Sequence, residues 1–164
     1  NMIGGMRYFT ARDQVELTSV ENNQDLTVGV VGFRWSWTFN YVEPNTYEVG
    51  TPGGAGPTLY LPVDQKVKFE LTSPDVVHSF WVPAFLFKMD VVPGRTNQFE
   101  VTPNKEGTFL GKCAELCGVD HSSMLFTVKV VSEEEFEARM QELRDKGQFG
   151  QMNPGRATEA AQGV

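Results

Sequence analysis

Thiols and imidazoles are scarce in this chain: two cysteines, Cys113 and Cys117, and two histidines, His78 and His121, among 164 residues. So small a cysteine count excludes a disulfide-built scaffold. Basic residues are outnumbered, 14 against 21 acidic, for a net charge of −7. That balance argues against non-specific nucleic-acid binding and suits a basic protein partner. Long apolar runs are missing as well. Runs such as Val28-Gly-Val-Val-Gly-Phe33 fall far short of the roughly 20 residues that span a bilayer. Asn1 to Met6 has no basic region followed by a long apolar run, so no signal peptide is read there. The chain as given is therefore expected to be soluble, even if cut from an anchored parent. No C-x-x-C-H occurs, which excludes a covalently attached haem c.

What is present is a succession of short strand-like runs. Residues 14–20 and 26–33 are rich in Val, Leu and Thr, and the second run is read as continuing through Tyr41. Along that continuation Trp35, Trp37, Phe39 and Tyr41 alternate with Ser36, Thr38 and Asn40, a period of two that puts an aromatic row on one strand face. Residues 50–57 hold too much Gly and Pro for a regular element and read as a mobile loop. Further runs at 58–63, 66–73, 77–82, 97–102, 107–112 and 124–131 are bounded by turn residues. The pattern predicts an all-β sandwich or barrel.

A helix is expected over 132–147. Ser132 caps it, Glu133 to Glu135 suit the positive end of its dipole, Phe136, Met140 and Leu143 share one face, and Gly147 ends it. The chain thus divides into an N-terminal extension at 1–13, a β domain at 14–131, the helix, and a disordered tail at 148–164.

The chemistry lies in Cys113-Ala-Glu-Leu-Cys-Gly-Val-Asp-His-Ser-Ser-Met124, a short loop between two strand-like runs. Taken singly its residues are ordinary. A C-x-x-x-C pair is a disulfide, a redox dithiol or part of a metal site; Met124 opening an apolar strand is a core residue; His121 in a loop is solvated. Their coincidence in one turn is not ordinary. Soft sulfur ligands with imidazole select copper or zinc, and a weak thioether points to copper electron transfer. His78 lies upstream in Asp75-Val-Val-His-Ser-Phe-Trp81 and supplies a second imidazole, giving the ligand order of a blue-copper protein. The extra cysteine departs from that type, because two thiolates in one loop can bridge two metals. A structural zinc set of Cys113, Cys117, His121 and His78 is the competing reading. It leaves Met124 and the aromatic row unexplained.

At these residues the chain resembles the soluble dicopper (CuA) domain of cytochrome c oxidase subunit II. Cys113-x-Glu115-x-Cys117-Gly118-x-x-His121-x-x-Met124 is similar to that family's copper loop, and Asp75 to Pro83 to its first-histidine loop. Lys88 to Gln98 and Gly32-Phe-Arg-Trp-Ser-Trp37 also match, so the likeness runs from about residue 26 to 131. It implies a cupredoxin-like Greek-key β-barrel or sandwich holding a mixed-valence pair of copper ions. By the resemblance, Cys113 and Cys117 bridge the ions, His78 and His121 bind one each, Met124 binds weakly through sulfur and Glu115 through its backbone carbonyl. Glu115 would also face a magnesium ion at the junction with subunit I, and Trp35 would receive electrons from cytochrome c. Asp75 and Asp120 would attract the basic donor. The same resemblance implies a copper-delivery chaperone as partner, a monomeric isolated domain, and an anchored parent on the outer face of a bacterial cell membrane. Ser36 departs from the family's pattern, which has an aromatic between its two tryptophans. A nitrous oxide reductase-like dicopper domain and a thioredoxin-like copper chaperone are the alternatives. Glu115 and Pro93 to Gln98 favour the oxidase, and the shortage of helices disfavours the chaperone.

Overall fold

Alternating apolar residues and frequent turn signals form eleven strands and one long helix in the computed structural model, which describes residues 15–18, 26–34, 36–50, 56–85, 87–113 and 124–152. The strands are β1 (Val15–Thr18), β2 (Leu26–Phe33), β3 (Ser36–Tyr41), β4 (Thr46–Val49), β5 (Thr58–Pro62), β6 (Val67–Thr72), β7 (His78–Val82), β8 (Phe87–Val91), β9 (Asn97–Pro103), β10 (Gly107–Cys113) and β11 (Leu125–Val131). A short 3₁₀ turn, Pro83–Phe85, joins β7 to β8, and helix α1 covers Glu133–Asp145. Two sheets result, one in the order β1-β9-β6-β2-β3-β4 and the other β5-β11-β10-β7-β8. Pairing is antiparallel except for β2 with β6 and β5 with β11. This is the all-β sandwich that the strand pattern predicts.

The aromatic row closes the two sheets onto each other. Trp37, Phe39 and Tyr41 of β3 have no exposed surface, and Trp37 and Phe39 meet Phe126 of β11 edge-on, at centroid distances of 5.3 and 5.5 Å. Phe80 of β7 stacks on Phe126 at 5.0 Å. Edge-to-face and stacked contacts of this kind add to the area that each ring removes from water.

The expected single run through residue 41 is two strands. The chain reverses after Phe33, so that Phe33 pairs with Ser36 and Val28 with Tyr41. Periodicity of two survives a tight hairpin, which is why the break is invisible in the pattern. Strands β4 and β8 are additions: β4 has only four residues, and the alternation of β8, Phe87-Lys-Met-Asp-Val91, directly follows the apolar stretch that ends β7. Gly50 and Gly56 bracket the Gly/Pro segment, whose residues 51–55 lie outside those described. Gly56 has φ +85°, and a Cβ there would fall 2.0 Å from the Leu125 carbonyl oxygen, so only glycine fits.

The helix agrees with expectation. Ser132 Oγ accepts the Glu135 N–H at 3.2 Å, Phe136, Met140 and Leu143 are buried, and Gly147 follows the last turn with φ +79°. Residues 148–152, read from the sequence as the start of a disordered tail, are held in place. Tyr47 N–H donates to the Gln148 carbonyl, and the Asn40 amide both donates to the Met152 carbonyl (2.9 Å) and accepts its N–H (2.7 Å). The extension at 1–13 and the rest of the tail, 153–164, lie outside the described residues.

Candidate metal centre

Three of the residues singled out in the sequence meet at one end of the five-stranded sheet. His78 opens β7, Cys113 closes β10, and Met124 directly precedes β11. Strands β7 and β10 are neighbours, with Cys113 opposite Phe80, so the start of one and the end of the other are brought side by side. The His78 Nδ1 and Cys113 Sγ atoms are 4.0 Å apart. All three residues are almost wholly buried, with His78 and Met124 at 0% exposure and Cys113 at 4%.

The backbone around them is tied down. The Met124 carbonyl accepts the Cys113 N–H at 3.2 Å and the Trp37 indole N–H at 3.3 Å, which closes the base of the 114–123 segment. Ser79 N–H points at Cys113 Sγ from 3.4 Å. Beneath the imidazole lies Gly32; a Cβ there would stand 3.0 Å from the Trp37 ring and 3.2 Å from His78 Cδ2, so glycine leaves room for both rings.

Asp75 completes the histidine's surroundings. Its Oδ1 is 2.8 Å from His78 Nε2 and 2.6 Å from the Val76 N–H, while Oδ2 accepts the Arg34 N–H at 2.7 Å. Partial burial alone would raise the carboxyl's pKa. The Arg34 and Val76 N–H donors and the His78 ring outweigh it and hold Asp75 below the ordinary carboxylate range. An ionised carboxylate only accepts, so Asp75 favours the proton on Nε2 and leaves Nδ1 as the ring nitrogen on the Cys113 side. Sequence reasoning placed Asp75 on the rim as a steering charge and missed this bond. An acid three residues ahead of a buried histidine was the signal available.

Glu115, Cys117, His121, Asp120 and Trp35 fall outside the described residues. Glu115, Cys117, Asp120 and His121 belong to segment 114–123, whose neighbours in the chain are Cys113 and Met124.

The family described as cytochrome c oxidase subunit II, periplasmic domain, matches residues 55–131. The crystal structure of the periplasmic domain of subunit II of the cytochrome oxidase of Bradyrhizobium japonicum superposes with a TM-score of 0.68 at 30% identity, covering 77% of this chain and 99% of that one. The chain belongs to the cytochrome c oxidase subunit II family. A probable cytochrome c oxidase subunit 2 of Streptomyces coelicolor is 51% identical over 185 aligned residues, covering 90% of this chain and 58% of that protein. The chain thus spans less than two thirds of that relative's length. A structure described as a mixed-disulfide intermediate between a thioredoxin-like protein and subunit II of cytochrome c oxidase matches with a TM-score of 0.65 at 30% identity. Among the described residues, no helix is long and apolar enough to cross a membrane.

Proposed function

We propose that this subunit II domain is an electron-transfer module built on a pair of copper ions. It would accept single electrons from cytochrome c and pass them to the haem-copper subunit I. The observation that carries the reading is the His78–Cys113 pair, an imidazole nitrogen close to a buried sulfur. Their 4.0 Å separation fits two bonds of roughly 2.0 and 2.3 Å to one ion. The thioether residue Met124 at the same end of the sheet suits copper better than zinc.

In this reading His78 and His121 hold one ion each, Cys113 and Cys117 bridge them, and Met124 and the Glu115 carbonyl are weak outer ligands. When bound, the copper pair supplies a one-electron couple whose charge change is spread over two metals. The protein contributes rigidity. Ligands at strand ends, with the Cys113 and Met124 backbones locked together, move little when the charge changes, and small movement favours fast transfer. Burial keeps water from the sulfur. Trp35 would be the point where electrons arrive, and Glu115 would face magnesium at the junction with subunit I. The parent would be anchored at the outer face of a bacterial cell membrane, with metal supplied by a copper-delivery chaperone. The mixed-disulfide structure supports a further thioredoxin-like partner acting on the cysteine pair.

Copper-loaded chain should be purple, contain two coppers per molecule, and give an EPR spectrum of one unpaired electron shared equally by two nuclei. A four-line mononuclear spectrum, or a colourless zinc protein, would overturn the proposal.

A further inference from the structure

Asp75 does more than neutralise a neighbour. Its two oxygens serve two different loops. Oδ1 pairs with His78 Nε2, and Oδ2 accepts the backbone N–H of Arg34, 41 residues away in sequence. Arg34 lies in the turn between β2 and β3, while Asp75 and His78 lie on the approach to β7. The carboxylate itself is held by its own turn. Ser73 Oγ accepts the Asp75 N–H at 3.3 Å and donates to the Val76 carbonyl at 2.6 Å, and Val76 N–H returns to Asp75 Oδ1. Turns closed by short polar side chains of this kind fix the side chain's direction as well as the backbone.

The His78 ring has no exposed surface and is packed against Trp37, with centroids 6.1 Å apart. Packing alone does not decide which ring edge faces Cys113, since a half-turn of the ring conserves its shape. The proton acceptor at Nε2 does decide it, because after a half-turn a C–H would face Asp75.

We infer that Asp75 is the positioning residue of the centre, selecting the tautomer and ring orientation of His78 and fastening the β2–β3 turn to it. The functional meaning of the inference rests on His78 being a metal ligand; its geometry does not. A displacement in the turn at Arg34, whose next residue in the chain is Trp35, is then felt at the His78 ring through one carboxylate. Ligand orientation by an outer carboxylate is a general device of metal sites, and here the same group also bridges to a second loop.

The test uses the full chain with two substitutions. In the metal-free wild type, ¹⁵N imidazole NMR should show His78 in a single Nε2–H form, and the Arg34 amide should exchange slowly. In Asp75→Ala, His78 should become a mixture of tautomers and Arg34 exchange should quicken at least tenfold. Asp75→Asn keeps the side-chain shape but has one acceptor oxygen for two donors. It should therefore fold and lose one of the two restraints while keeping the other. An Asn variant with both restraints unchanged, or an Ala variant that still holds Nε2–H and a protected Arg34 amide, would overturn the inference. With copper, the Ala variant should retain both ions yet alter the nitrogen hyperfine coupling of His78; unchanged coupling would also count against it. Wild type that binds no copper would instead refute the proposed function, leaving the NMR result to stand by itself.

Discussion

In the proposed centre Met124 would act through two different atoms. Its carbonyl closes the loop by accepting from Cys113 and Trp37, a role any residue's backbone fills. Only its sulfur is specific to methionine. Met124→Leu should therefore keep the fold and both coppers while shifting the reduction potential and visible spectrum, read by voltammetry and metal analysis. Loss of all copper would show that the thioether is a principal ligand. Tyr41 offers a second residue-level outcome. Its hydroxyl accepts the Tyr60 N–H at 2.8 Å, and burial pushes its pKa far above the ordinary phenol range. The unfolded chain ionises this group above about pH 10 while the folded chain does not, so stability is lost as pH rises, by roughly 1.4 kcal/mol per unit. Tyr41→Phe should remove that alkaline component and lower stability near neutrality by about 1 kcal/mol, both visible in urea titrations at several pH values. His78, Cys113 and Met124 were legible in the sequence because their side-chain chemistry is rare and their order informative. The bond from Asp75 to His78 was not, because it depends on how the turn at Ser73 aims a carboxylate.

Among the elements, the strands that carry the site were readable and the connections were not. Apolar runs between turn residues marked β2, β3, β7, β10 and β11, yet the period of two ran undisturbed through the hairpin at 34–35, β4 was too short to stand out, and the alternation of Phe87 to Val91 in β8 was overlooked behind the apolar run before it. Gly111 illustrates packing that no propensity reveals. A Cβ on it would stand 2.1 Å from the Phe126 ring, which is itself stacked on Phe80 and wedged against Trp37 and Phe39. Gly111→Ala should cost about 1–3 kcal/mol through overpacking, measured as a lower denaturant midpoint. Ser132→Ala should cost roughly 1 kcal/mol by leaving the Glu135 N–H without its cap, and copper binding should not change. The helix was the most legible element, since cap, apolar face and terminal glycine all agree. Its continuation was not. The pairing of Asn40 with Met152 relies on one amide side chain that imitates a backbone edge, a device without a sequence signature.

At the scale of the molecule, the net charge of −7 sets the behaviour with a basic donor. Electron transfer from such a donor should slow as ionic strength rises, because the Debye length shrinks to about 10 Å at 0.1 M salt. Stopped-flow rates across a salt series measure this directly, and salt-independent rates would remove electrostatic steering from the account. The sandwich has a kinetic consequence as well. Cys113 and His78 are 35 residues apart in sequence and meet only when β7 and β10 pair, within a sheet that also needs the parallel contact of β5 with β11. Pairings so distant close slowly. The proposed donor set would thus be assembled late on the folding pathway, and metal presented to the nascent chain would meet two neighbouring thiols without the His78 imidazole beside them.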